Sequence, residues 1–118
     1  MRSFLRFGGE EVNEKLRTFE VFSSSWEIND QRSTKSISIK YTNNWDIQID
    51  EYLTGDDIER MYGDWDHEEY ILIKRVDAPR LMTLLMKYAF GMDKPLTFSK
   101  LKDLLNESGI NFENNSWA

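Results

Sequence analysis

The sequence predicts an α+β fold: an antiparallel sheet of about five strands with two C-terminal helices packed on one face. Three observations carry that expectation. Apolar residues alternate at period two through the first half, as in Ile37, Ile39, Tyr41 and Trp45, Ile47, Ile49. They recur at i, i+3, i+4, i+7 in the second half, as in Leu81, Leu84, Leu85, Tyr88 and Ala89. Strands come first and helices last, which segregates the helices to one side of an antiparallel sheet.

Taken in order, Leu16, Phe19, Val21 and Phe22 read as extended with imperfect alternation, and Trp26 and Ile28 alternate with polar neighbours. Asn29 to Ser33 read as a turn. Thr42-Asn43-Asn44 joins the two clearest strands, because Asn tolerates the positive φ of a tight hairpin. Alternation of this kind leaves one sheet face apolar and the other wet. Asp56 to Gly63 read as a short helical turn with acids at its start and glycine at its stop. Glu69 to Lys74 is dense enough in apolar residues for a central strand. Asp77 is placed as an N-cap, Pro79 in the first helical turn, and Gly91 at the helix end. Thr97 caps the second helix, whose face carries Phe98, Leu101, Leu104 and Leu105 before a Gly109-Ile110 stop. Ile110 and Phe112 suggest a short final strand, followed by a polar tail from Asn114.

With 118 residues the chain fits one domain over residues 1–118. Residues 1–53 are mainly strands, 54–70 form an acidic turn segment, and 71–118 hold a strand, two helices and the short final strand. Four Trp, five Tyr and seven Phe predict a core rich in aromatics. No cysteine is present, which excludes disulfides, thiolate metal sites and cysteine nucleophiles and favours the cytoplasm. Neither a signal peptide in residues 1–7 nor a membrane span of ~18 apolar residues is expected.

The formal net charge is -6. Nucleic-acid binding needs clustered Lys and Arg, so this balance argues against it. The acidity is concentrated: residues 54–70 hold 7 acids and 1 base. Such crowding costs the fold something unless a partner or cation relieves it. Tyr62 and Trp65 stand among Asp56, Asp57, Glu59, Asp64, Asp66, Glu68 and Glu69, and an aromatic ringed by carboxylates suits a basic protein surface. These nine residues form the candidate partner-binding site. The bland reading of the same segment is a solvated helix-turn edge with its aromatics turned inward.

Other chemistry is thin. The lone His67 is flanked by acids, but neighbours on a strand point to opposite faces and so do not converge. Asp64-x-Asp66-x-Glu68 begins like a calcium loop, yet Glu69 and Arg75 stand where glycine and glutamate are required. Ser23-Ser24-Ser25 and Gly8-Gly9 lack the companions of a nucleophile elbow or phosphate loop. No catalytic motif, catalytic residue, metal site or cofactor is assigned.

The stretch from Tyr62-Gly63-Asp64 through Glu69-Tyr70-Ile71-Leu72-Ile73 to Asp77-Ala78-Pro79-Arg80-Leu81, with Gly109-Ile110 and Trp117, resembles small bacterial proteins of the immunity-protein type in toxin systems. The likeness spans about residues 56–117. Residues 1–53 carry none of it, and Asn111, Asn114 and Asn115 depart from the pattern. It implies a cytoplasmic inhibitor of a bacterial toxin and supplies no catalytic residue. The main expectation is therefore an acidic protein-binding module with a basic protein partner and no affinity for nucleic acid or membrane. Two alternatives stay open: a carboxylate-based divalent-metal or small-ligand domain centred on Asp64, Asp66, His67 and Glu68, or a structural, oligomerising domain. The oligomeric state is not readable.

Overall fold

A computed structural model describes residues 17–91 and 94–117. Five strands form one antiparallel meander in sequence order, β1 (Thr18–Ile28), β2 (Gln31–Tyr41), β3 (Ile47–Thr54), β4 (Asp66–Ile73) and β5 (Phe112–Trp117). Helix α1 (Asp56–Tyr62) links β3 to β4, and α2 (Ala78–Gly91) and α3 (Phe98–Glu107) link β4 to β5. The α+β class and the two C-terminal helices are as the sequence predicts. No helix among the described residues is long and apolar enough to cross a membrane.

The register explains the layering. One row runs Phe19, Ile39, Ile49, Ile71 across four strands, and the next runs Tyr41, Ile47, Ile73, Phe112. Directly opposed residues share a face, so these rows form one apolar surface. Leu81 of α2 and Phe98, Leu101 and Leu105 of α3 close over it, with Ile110 beneath. Ile71, Ile73 and Leu105 are fully enclosed, each contributing roughly 1.5–3 kcal/mol through burial. Among the described residues the core is aliphatic, with Phe98 its one buried ring. The expectation of an aromatic core fails because isoleucines occupy the helix-facing positions of the central strands. Phe19, Phe22, Tyr62, Trp65 and Phe90 fall on an edge strand, a loop or helix margins and stay exposed.

Several boundaries move for identifiable reasons. A bulge between Glu20 and Phe22 breaks the alternation of β1, which otherwise continues to Ile28. The turn after it is only Asn29-Asp30, both at positive φ (54° and 64°), with Gln31 to Ser33 already in β2. Trp45 belongs to the next turn rather than to a strand. It takes the positive φ of 63° expected of the asparagines, and its N–H donates to the Thr42 carbonyl at 2.9 Å. Asp46 ends that turn buried, accepting from the Arg75 backbone N–H at 2.9 Å. Asp77 lies in a 3-10 turn (Arg75–Asp77) that runs into α2, and its carboxylate pairs with Arg80. Tyr88 is half-buried with its hydroxyl on the Lys94 carbonyl at 2.9 Å, and Ala89 is exposed.

Other expected ends hold. Thr97 Oγ1 accepts from the Lys100 N–H at 3.1 Å as the N-cap of α3. Gly109 and Ile110 donate back to Asn106 and Leu105, the paired bonds of a Schellman stop. The expected final strand starts after Ile110, which is instead a buried plug. The tail expected from Asn114 is itself β5, pairing Phe112 to Ile73 and Trp117 to Glu68. Leu16 and residues 1–15, including Gly8-Gly9, lie outside the described residues.

Candidate functional site

The three α-helices of the described residues occupy the same side of the sheet. Helix α1 reaches it by the Gly55 corner, where φ is 119° and ψ -179°, a conformation open only to glycine. A Cβ there would stand 2.6 Å from Ser33 Cα and 2.7 Å from the Arg32 carbonyl. Ile58 of α1 is buried, and Trp26 of β1 donates through Nε1 to Asp57 at 3.0 Å. Asp57 also holds Arg60. Tyr62 stacks on His67, centroids 3.9 Å apart and planes within 9°. Gly63 then stops the helix at a φ of 83°, its N–H on the Glu59 carbonyl.

This geometry divides the nine candidate residues. Strand β4 begins at Asp66, three residues before the expected start, so the acids of residues 66–69 alternate between faces. Glu69 points to the helix side. Lys102 of α3 reaches it at 2.5 Å and Asn114 at 2.9 Å. Burial pushes the Glu69 carboxyl up, but the hydrogen bonds from Lys102 and Asn114 and the lysine charge outweigh it and hold it below the usual carboxylate range. Asp57 is likewise occupied by Trp26 and Arg60. Asp56 and Glu59 lie on α1, with Gln31 and Arg60 beside them. Asp64 and Trp65 are exposed in the connecting loop, Trp65 at 55%.

Asp66 and Glu68 point the other way, onto the face the helices leave open. There the register brings up residues that the sequence reading passed over. Glu20, Ser38, Asp50, Tyr70 and Asn115 form one row, and Ser36, Tyr52 and Glu68 lie in the next. Among the described residues, the strand positions of this face carry six carboxylates: Glu20, Glu27, Asp50, Asp66, Glu68 and Glu113. They carry two cations, Arg32 and Lys40. Arg32 stands opposite Glu27 at the hairpin end and Lys40 stands by Thr18, so the middle of the face is acidic.

Tyrosines sit within these acids. The Tyr52 hydroxyl donates to Asp66 at 3.1 Å, and Tyr70 accepts from the Asn115 amide at 2.8 Å. Desolvation, the Asp66 hydrogen bond and the charges of Asp66 and Glu68 all push the Tyr52 phenol above its ordinary value. Continuing the period-two pattern of Ile47 and Ile49 to the opposite parity would have found Asp50 and Tyr52. The pairing register of β3 with β4, across the α1 connection, was the missing link to Tyr70.

The metal-site alternative finds no convergence. Asp66 and Glu68 lie on one face and His67 on the other, and His67 Nδ1 is buried with no hydrogen-bond partner among the described residues. Among the described residues no three His, Asp or Glu side chains are placed to hold a metal ion.

Fold and site together define an α+β protein with a helix-covered sheet face and an opposite face that is open and acidic among the described residues. No family model matches the chain, and no curated protein or solved structure is similar enough to match it.

Proposed function

We propose that the chain is a protein-binding module that presents the open face of its sheet to a basic protein surface. The observation that carries this reading is the composition of that face: carboxylates of β1, β3, β4 and β5 surrounding Tyr52 and Tyr70, with the helices all on the other side. An acidic surface of this kind steers a basic partner and raises the association rate, while half-buried rings supply contact area at low entropic cost. The reading retains Asp66 and Glu68 of the sequence-derived site and adds Asp50, Tyr52 and Tyr70. It leaves Glu69 and Asp57 to structural roles. The finer reading is an immunity-type inhibitor that covers the active surface of a toxin. The resemblance over residues 56–117 and the acidity of the face support it.

The test is capture of partners from the native host by tagged wild-type chain and by the D50N/D66N/E68Q variant, washed at low and then high salt. Support is a single stoichiometric basic protein that high salt releases and that the folded variant fails to hold. Equal capture by the variant, or retention indifferent to salt, rejects the open face as the interface.

A further inference from the structure

The two C-terminal helices do not cover the sheet evenly. Leu81, Phe98, Leu101 and Leu105 close over the isoleucines of β3 and β4, whereas Ile37 and Ile39 of β2 are only partly buried. The register shift between Glu20 and Phe22 leaves Val21 unpaired, and its side chain lies on the helix side beside a pocket. Ile37, Ile39 and Ile49 form the floor of that pocket, with Leu85 of α2 and Leu101 of α3 on its flanks. Val21, 54% exposed, and Leu96, 37% exposed, mark its mouth. The pocket holds about 180 Å³, and every residue lining it is a described one.

We propose that this pocket binds a small uncharged apolar molecule, about the size of a single aromatic ring. Size and chemistry identify the occupant together. Packed interiors leave few voids larger than a water molecule, and an apolar cavity of ~150 Å³ lined by leucine, isoleucine and phenylalanine stays dry and takes up benzene. The space here is of that size and lined by the same side chains. No charged residue lines it, and its one polar side chain, Thr97, already accepts the Lys100 N–H at 3.1 Å as the cap of α3. A carboxylate or ammonium placed there would lose its hydration without a partner of opposite charge. The floor is made of β-branched side chains on paired strands, stiff at χ1, so the shape is held before the ligand arrives. The pocket is on the helix side of the sheet, so this inference stands apart from the acidic open face.

The experiment titrates the full-length chain, methyl-labelled at Ile, Leu and Val, with toluene and with benzoate as the charged analogue, and reads methyl NMR shifts and Tm. Toluene should give saturable shifts confined to the methyls of Val21, Ile37, Ile39, Ile49, Leu85 and Leu96. At about five times Kd it should raise Tm by about 4 °C. Benzoate should do neither. V21W fills the mouth from an exposed position and should abolish the toluene shifts with circular dichroism unchanged. Absence of saturable shifts up to the solubility of toluene overturns the proposal, as does an equal response to benzoate or from folded V21W. Overhauser contacts from the rings of Phe4 or Phe7 to these methyls in the ligand-free chain overturn it as well, since the chain would then fill its own pocket.

Discussion

Tyr52 and Asp66 lie diagonally across neighbouring strands β3 and β4, and the phenol donates to the carboxylate at 3.1 Å on the open face of the sheet. The pair joins the acidic segment to the middle of the sheet. It places an aromatic ring and a carboxylate side by side where a basic partner would find both.

The bond has a spectroscopic consequence. Burial and the Asp66 and Glu68 carboxylates favour the neutral phenol, so Tyr52 ionises above the ordinary tyrosine range. Its stability contribution is complete below the unfolded tyrosine pKa and is lost as pH rises through the raised folded value. D66N should therefore move one phenolate transition toward the ordinary value in a near-ultraviolet titration, and Y52F should delete that transition. An unchanged titration in D66N would mean that Asp66 does not act on Tyr52.

Glu69 titrates with the opposite sign. Its carboxyl is held below the usual range, so the Lys102–Glu69 contact stabilises the fold above the unfolded carboxylate pKa and fades as pH falls through the lower folded value. K102M leaves a half-buried carboxylate with Asn114 alone and should cost about 1–3 kcal/mol at neutral pH. In urea titrations at acidic pH that difference should shrink. A pH-independent loss would assign the effect to the packing of the lysine stem instead.

Two glycines bracket α1 and should respond differently. At Gly55 an added Cβ meets the Ser33 backbone at 2.6 Å in a conformation reserved for glycine. G55A should cost roughly 3 kcal/mol or more, summing backbone strain and overpacking. At Gly63 nothing among the described residues lies within 4 Å of an added Cβ, so G63A should cost only the left-handed backbone penalty, about 1–2 kcal/mol. Equal losses in chemical denaturation would show that the Gly55 corner yields.

The fold was legible wherever one local signal had no competitor. Thr97, Gly63 and Gly109 act as caps and stops through hydrogen bonds to their own neighbours, and such bonds are written in short sequence windows. Strand ends were harder. The bulge at Val21 hides the continuity of β1, and Asn114 to Trp117 are too polar to announce an edge strand whose outward side needs no apolar residues. The candidate site was legible as a charge excess but not as a surface. Seven acids close in sequence separate once β4 begins at Asp66, because alternation sends Glu69 to Lys102 and Glu68 to the open side. Asp50 and Tyr70 join Glu68 only through a register between strands that no single window contains.

In the proposed function the open sheet face, and not the α1 loop, meets the partner. Hydroxyl-radical footprinting of the chain, alone and bound to the captured protein, reads this directly because the ring residues divide between the two places. Binding through the open face should protect Tyr52 and Tyr70 while Tyr62, Trp65 and the exposed Met82 of α2 react as in the free chain. Protection of Tyr62 and Trp65 with Tyr52 and Tyr70 unchanged would contradict it and return the interface to the loop.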